Sequence, residues 1–121
     1  MRRIRGRTFE AFQIEVTSRC TLRCVMCPKA ALQDQWPAQD LAWDAFLRIA
    51  RAFGHVTFVH LQGWGEPLLH PRLFDMIALA KAAGCRVGVT TNGMPLDPET
   101  GTRRRDLSVD LMASSIAGAT R

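Results

Sequence analysis

The sequence predicts an α/β fold with a parallel sheet, a partial (βα) barrel of about four βα units. Apolar segments of strand length alternate with segments whose apolar residues recur at helical spacing. Glycines follow two of the helical segments, where a left-handed residue commonly ends a helix. The 121 residues are too few for a closed eight-stranded barrel, which takes about 250. We therefore expect a barrel truncated at its C-terminus, with an open sheet edge at its last strand.

The first half of the chain carries one strand and one long helix. Alternating apolar residues predict a strand over Phe9–Val16, which delivers a cysteine-rich segment at its carboxyl end. Residues 28–40 contain two prolines and are predicted to be a loop. An apolar stripe then predicts a helix from Trp43 to Phe53, ended by Gly54.

The second half continues the alternation. The three remaining strands are predicted at Val56–Leu61, Arg86–Thr91 and Leu111–Ile116. A helix beginning at Pro71 and stopped by Gly84 joins the second strand to the third. A shorter helix follows Asp97, which suits an N-cap, and contains Arg103–Arg105.

Composition indicates one ordered domain over residues 9–121, preceded by a basic tail over residues 1–8. The net charge of +5 comes largely from that tail and from the later arginine run. One short tail offers few phosphate contacts, and no aromatic residues interleave with the arginine run, so we expect solvated charges and no nucleic-acid partner. A nucleic-acid-binding arm is the alternative for the tail. No apolar run reaches the roughly 20 residues of a membrane helix, and no secretory signal is visible. We therefore expect a cytoplasmic location, no membrane partner and reduced cysteines.

Three of the four cysteines, Cys20, Cys24 and Cys27, are spaced C-x₃-C-x₂-C. A cubane iron–sulfur cluster held by three thiolates keeps one iron open, and an open metal position is where chemistry occurs. Cys85 stands apart at a strand start, and we expect it to be a small buried hydrophobe.

Two further strand ends carry unusual residues. Gly63-Trp64-Gly65-Glu66-Pro67 follows the second strand, and Asn92-Gly93 follows the third. The glycines allow close approach to the main chain, and Glu66 beside backbone carbonyls suits an ammonium group. A plain glycine turn with a solvated Glu66 is the alternative.

Two other functions fit parts of the pattern. The three cysteines could form a closed zinc site with Cys85 or with one of the histidines at 55, 60 and 70. Cys24 and Cys27 could instead form a redox-active dithiol. Neither alternative uses the Gly-Glu-Pro segment.

The order of these motifs resembles the N-terminal part of the radical S-adenosylmethionine (radical SAM) core, over roughly residues 9–118. The resemblance implies a TIM-like barrel and a 4Fe–4S cluster on Cys20, Cys24 and Cys27. It also implies S-adenosyl-L-methionine as a cofactor. The residues that match cofactor contacts of the family are Met26, Gly65, Glu66, Thr91, Asn92 and Ser115.

The activity implied by the resemblance is reductive cleavage of S-adenosylmethionine to a 5′-deoxyadenosyl radical, which abstracts hydrogen from a substrate. A flavodoxin- or ferredoxin-type reductant is the implied electron donor. The motifs look most like SPASM-type members that modify peptides or proteins, with molybdenum-cofactor-type cyclases as the nearest rival. A non-catalytic metal-binding module or an inactive fragment is the alternative.

The sequence departs from the family pattern at two positions. Trp64 replaces the first glycine of the usual G-G-E-P, which restricts the backbone there. Ala117 stands where many members carry an acid, so a carboxylate contact cannot form at that position.

Overall fold

A four-stranded parallel sheet is the frame of the molecule, in the order β1-β2-β3-β4. The computed structural model describes residues 6–32, 34–95, 97–99, 102 and 108–115. The strands are β1 Phe9–Ile14, β2 Val56–Leu61, β3 Arg86–Thr91 and β4 Leu111–Ser114. Each strand pairs in parallel with the next, which confirms the predicted α/β class.

Three α-helices are described between these strands. They are α1 Pro28–Ala31, α2 Trp43–Ala50 and α3 Leu73–Ala82. Two short 3₁₀ helices are also described: Phe53–His55 lies immediately before β2, and Pro67–Leu69 follows the loop after β2. None of the helices in the described part of the chain is long and apolar enough to cross a membrane.

The core fills one face of the sheet. Ile14, Leu61 and Val89 are aligned across three strands and are almost fully buried. The helices contribute Phe46 from α2 and Met76 from α3, both with no exposed surface. Burying a side chain of this size stabilises a fold by about 1.5–3 kcal/mol. The core therefore fixes β1, β2 and β3 in register, and with them their carboxyl ends.

The helix predicted from Trp43 to Phe53 is shorter than expected. It ends at Ala50, and Gly54 lies in a 3₁₀ helix without a left-handed φ. The reason is tertiary, because the ring of Phe53 turns into the core and meets Phe46 edge-to-face at 5.7 Å. Gly84 does end the following helix with φ of 82°, as predicted.

Other boundaries move by a few residues. The prediction that residues 28–40 form a loop was wrong in part. α1 begins directly after Cys27, the third cysteine of the motif, with Pro28 in its first turn. The first strand ends at Ile14, two residues early, and α3 begins at Leu73. The backbone beyond β1 instead pairs with residues 39–41.

Both ends of the chain are only partly described. Most of the predicted helix after Asp97, including Arg103–Arg105, and the segment 116–121 lie outside the described residues. At the N-terminus, Arg7 donates to the carbonyl oxygens of Phe53 and Ala83. Because residues 1–5 are not described, the boundary of the basic tail stays a prediction.

Candidate functional site

The carboxyl ends of β1, β2 and β3 meet at one edge of the sheet, and each continues into one of the three unusual segments. This follows from the parallel arrangement, which places all carboxyl ends together. The candidate site is this edge.

The cysteine segment is attached to the domain just before Cys20. The Arg19 guanidinium binds both carboxylate oxygens of Asp40, at 2.9 and 3.0 Å, and donates to the carbonyl oxygen of Leu69 at 2.7 Å. The carbonyl oxygen of Arg19 accepts from Glu66 N at 2.7 Å. Arg19 therefore joins three segments at the edge. No motif in the sequence indicated this role.

The Asp40 carboxylate is suited to remain charged in this position. Hydrogen bonding from Arg19 holds the pKa of Asp40 below its usual value of 3.8, against the opposing effect of burial. The Thr17 hydroxyl also donates to Asp40, at 2.7 Å. A sequence signal for the pair was absent because the two partners are 21 residues apart.

The three cysteines of the motif are free and half-buried. Cys20 Sγ lies 3.5 Å from Leu22 N and 3.6 Å from Asn92 Nδ2, so it accepts from its own loop and from the end of β3. Among the described residues, no three His, Cys, Asp or Glu side chains converge closely enough to hold a metal ion. The structure thus places the three thiols on one loop without gathering them at ligand spacing.

The surroundings of the thiols fit an anionic metal cluster. Cys20 and Cys27 line one cleft of ≈ 260 Å³ together with Arg23 and Lys29. A cubane bound by three thiolates carries net negative charge, which these two cations would stabilise. The donor set, three reduced thiols on one loop, is of the soft kind that iron–sulfur clusters require.

The Gly63–Pro67 loop packs against the end of β1. A Cβ atom built on Gly65 would lie 2.0 Å from the carbonyl oxygen of Thr17, so only glycine fits there. A Cβ on Gly63 would meet the side chain of Glu15 at 2.3 Å. Neither glycine has a left-handed φ. The close neighbours of the two glycines are Glu15, Thr17 and Arg19, in the segment that follows β1. The approach of a ligand to this backbone stays a prediction.

Glu66 is 2% exposed and links the ends of two strands. Its Oε1 accepts from Leu68 N at 3.1 Å and from the Thr91 hydroxyl at 2.6 Å. Its Oε2 accepts from Asn92 N at 2.7 Å. An ionised carboxylate has about four acceptor positions, so one remains on Oε2. The alternative of a solvated Glu66 was wrong.

Asn92 connects the two predicted motifs. Its backbone N–H binds Glu66, while its side chain lies against Cys20. The Thr91 hydroxyl accepts from Gly93 N at 3.0 Å in addition to donating to Glu66. The structure therefore brings together Cys20, Glu66, Thr91 and Asn92 of the predicted site.

The remaining predicted residues lie at its margin. Met26 is 76% exposed at the tip of the cysteine loop. Ser115 follows β4 and donates its backbone N–H to the carbonyl oxygen of Thr91 at 2.9 Å. Met26 and Ser115 thus lie around the same edge of the sheet, and in the described part of the chain neither forms a hydrogen bond with the Glu66 side chain.

Three of the four residues proposed as an additional zinc ligand make other contacts. Cys85 is buried, as predicted, and its thiol lies 3.3 Å from the carbonyl oxygen of Phe53. Burial raises the pKa of Cys85. His70 accepts from Arg72 N through Nδ1 and binds the carbonyl oxygen of Leu41 through Nε2. His60 pairs with Thr90 at 2.9 Å.

A parallel α/β sheet with a C-x₃-C-x₂-C loop and a Gly-Glu-Pro loop at its carboxyl edge defines a class of cofactor-binding half barrels. The family model of the Radical SAM superfamily matches residues 14–120, and the chain belongs to that superfamily. The superfamily uses a 4Fe–4S cluster and S-adenosylmethionine.

Two curated relatives are similar in sequence. The chain is 39% identical over 106 residues to the tungsten-containing aldehyde ferredoxin oxidoreductase cofactor-modifying protein of Pyrococcus furiosus, covering 85% of this chain and 29% of that protein. It is 38% identical over 94 residues to the GTP 3′,8-cyclase of Chlorobaculum tepidum, covering 76% and 28%. The chain thus spans less than a third of the length of these relatives.

A solved structure shares the fold. The crystal structure of BtrN in complex with AdoMet and 2-DOIA matches with a TM-score of 0.78 at 19% identity, over 93% of this chain and 48% of that one. At this identity the match shows the fold alone. It supports the predicted partial-barrel fold.

Proposed function

We propose that this chain carries the cluster- and cofactor-binding part of a radical SAM enzyme. Cys20, Cys24 and Cys27 would hold a 4Fe–4S cluster, and S-adenosylmethionine would bind beside it. When bound and supplied with one electron by a reductant, the two together would provide a carbon-centred radical that abstracts hydrogen from a substrate. The observation that carries the proposal is the double contact of Asn92, which links the first cysteine to Glu66.

The residues of this chain would position the cofactor. Glu66 would accept the ammonium group through the remaining position on Oε2, and Gly65 keeps the loop close to β1. Thr91 and Asn92 hold the Glu66 carboxylate in place. Met26 and Ser115 border the same edge of the sheet. The Arg19–Asp40 pair fixes the start of the cysteine loop.

The cysteine loop lies between two anchors. The thiols of this loop are not at ligand spacing. The side chains at the tip of the loop, including Val25 and Met26, are exposed and are not packed into the core. The start of the loop is fixed by Arg19, and α1 begins directly after Cys27. We infer that the segment between these two anchors rearranges when iron and sulfide bind.

The relatives' names include a cofactor-modifying protein and a GTP cyclase, which act on different molecules. A SPASM-type subclass with a peptide or protein substrate, an electron donor of the flavodoxin or ferredoxin type, and a cytoplasmic location stay predictions.

Anaerobic reconstitution with iron and sulfide tests the cluster. We expect about four irons and four labile sulfides per chain for the wild type. Cys20→Ala, Cys24→Ala and Cys27→Ala should each lose the cluster, because two thiolates rarely hold a cubane. Cys85→Ala is the matched control and should keep it, since Cys85 lies buried at the opposite end of β3.

Two outcomes would contradict the proposal. A wild-type protein that binds one zinc tightly and takes up no iron would favour the structural zinc alternative. Loss of iron in Cys85→Ala with retention in Cys20→Ala would overturn the ligand assignment.

A further inference from the structure

Two tryptophans meet beside the cysteine loop. The rings of Trp36 and Trp64 lie 6.5 Å apart with an interplanar angle of 79°, in edge-to-face contact. Such pairs contribute about 0.5–1.5 kcal/mol beyond the area they bury. The contact connects the segment after α1 to the loop after β2. It also gives a use to Trp64, which stands where the family has glycine.

Hydrogen bonds fix the backbone next to Trp36 and the backbone of Trp64. The Ser18 hydroxyl donates to the carbonyl oxygen of Pro37 at 2.7 Å and accepts from Gln39 N at 2.9 Å. These bonds fix the segment next to Trp36 to a residue two positions before Cys20. Trp64 donates its backbone N–H to Glu15 Oε1 at 2.7 Å.

Trp36 lines two spaces. One is the cleft that contains Cys20 and Cys27. The other is a cavity of ≈ 370 Å³ that Trp36 lines together with Glu15 and Asp40, which are polar and partly open to water. The ring is half-buried and is the largest apolar group shared by both spaces.

We propose that Trp36, supported by Trp64, is a positioning residue that limits the access of water and oxygen to the cluster. This inference rests on the proposed function. The apolar shell around a metal centre controls solvent access and local dielectric. Solvent exposure in turn shifts the reduction potential of an iron–sulfur cluster. Removing the indole would take away the largest apolar group that lines both the thiol cleft and the polar cavity.

The experiment compares cluster stability in Trp variants after anaerobic reconstitution. Air-saturated buffer is added, and the loss of the visible iron–sulfur absorbance is followed over time. We expect Trp36→Ala to lose its cluster roughly tenfold faster than wild type, the lower end of the effect typical of residues around a metal site. Its reduction potential should rise, because water stabilises the extra negative charge of the reduced cluster.

Conservative and distant variants separate this role from general destabilisation. Trp36→Phe should retain most of the oxygen resistance that Trp36→Ala loses, because an aromatic ring still lines both spaces. Trp64→Ala should act in the same direction as Trp36→Ala with a smaller effect. Trp43→Phe is the matched control and should behave as wild type, since Trp43 stacks on Phe46 at 5.8 Å and beneath Arg72.

The outcomes distinguish the two proposals. A wild type that assembles no cluster overturns the proposed function and this inference with it. A wild-type cluster whose oxygen sensitivity and potential are unchanged in Trp36→Ala overturns this inference alone. If Trp36→Ala fails to fold, Trp64→Ala decides: a cluster in that variant with the oxygen sensitivity and reduction potential of wild type overturns this inference.

Discussion

Glu66 has a structural role at the site in addition to the proposed one. Glu66 was expected to bind a cofactor, and the structure shows that it also joins the loop after β2 to the end of β3. A buried carboxylate that accepts several hydrogen bonds is stable only when each partner stays in place. Any ligand role of Glu66 therefore depends on the same geometry that holds the two strand ends.

The hydrogen bonds of Glu66 determine how Glu66→Gln changes the unfolding free energy. Glutamine has one oxygen, so its NH₂ group must face either Asn92 N or the pair formed by Leu68 N and the Thr91 hydroxyl. We expect a loss of about 1–3 kcal/mol in unfolding free energy, the cost of an unsatisfied buried group. Urea denaturation of the protein measures it.

An exposed glutamate provides the control. Glu10→Gln lies on β1 with its side chain exposed and should leave the unfolding free energy nearly unchanged. Equal stability of wild type and Glu66→Gln would show that the hydrogen bonds of Glu66 do not stabilise the fold. Any effect on cofactor affinity must accordingly be measured on the folded fraction.

At the scale of elements, the site depends on how loops pack against strand ends. Gly65 lies against the backbone at Thr17 and Arg19, and this contact brings the Gly-Glu-Pro loop next to the cysteine segment. Arg19 adds a hydrogen bond to Leu69 O from the other side. The relative position of the two motifs is thus set by backbone contacts.

Gly65→Ala tests this packing. The new methyl group would overlap the carbonyl oxygen of Thr17, which is backbone and cannot rotate away. We expect a loss of about 1–3 kcal/mol or more in unfolding free energy, as for other overpacked sites. Iron uptake should also fall, because the loop shifts relative to Cys20.

Gly54→Ala is the matched substitution for comparison. A Cβ atom there meets nothing within 4 Å, and its φ is not left-handed. It should therefore retain wild-type stability and iron uptake. If Gly65→Ala behaved as Gly54→Ala does, the close approach to β1 would not be a constraint on the loop.

For the whole molecule, charge and burial predict how stability depends on pH. Burial lowers the pKa of His60 below its usual 6.5. The unfolded chain therefore binds more protons than the folded one below pH 6.5, and stability falls as the pH decreases through that range. His60→Gln should flatten this part of the profile, as measured by urea midpoints at a series of pH values.

A second fall in stability should occur in acid. The pKa of Asp110 is raised by burial but lowered more by hydrogen bonds from Lys81 and Val87 N, and that of Asp40 is lowered by Arg19. Both carboxylates stabilise the fold above pH 3.8 and lose this contribution as the pH falls through their folded pKa values.

A stability profile of His60→Gln identical to that of wild type would contradict the role of His60.

The sequence by itself determined the class of fold and the main motifs. Alternating strand and helix patterns gave four parallel strands in the right order, because apolar periodicity is a local property. The strand-end position of the cysteines and of Gly63–Pro67 followed from the same patterns. Gly84 ended its helix as predicted, since a left-handed residue is also a local requirement.

Only the tertiary structure decided which residues meet. The pairing of Arg19 with Asp40, of Glu66 with Asn92 and of Trp36 with Trp64 joins residues that are 21, 26 and 28 positions apart. The shortened helix at Ala50 depends likewise on where Phe53 finds space in the core. The physical reason is that such contacts depend on the distances between packed strands and loops, and sequence spacing alone carries no information about those distances.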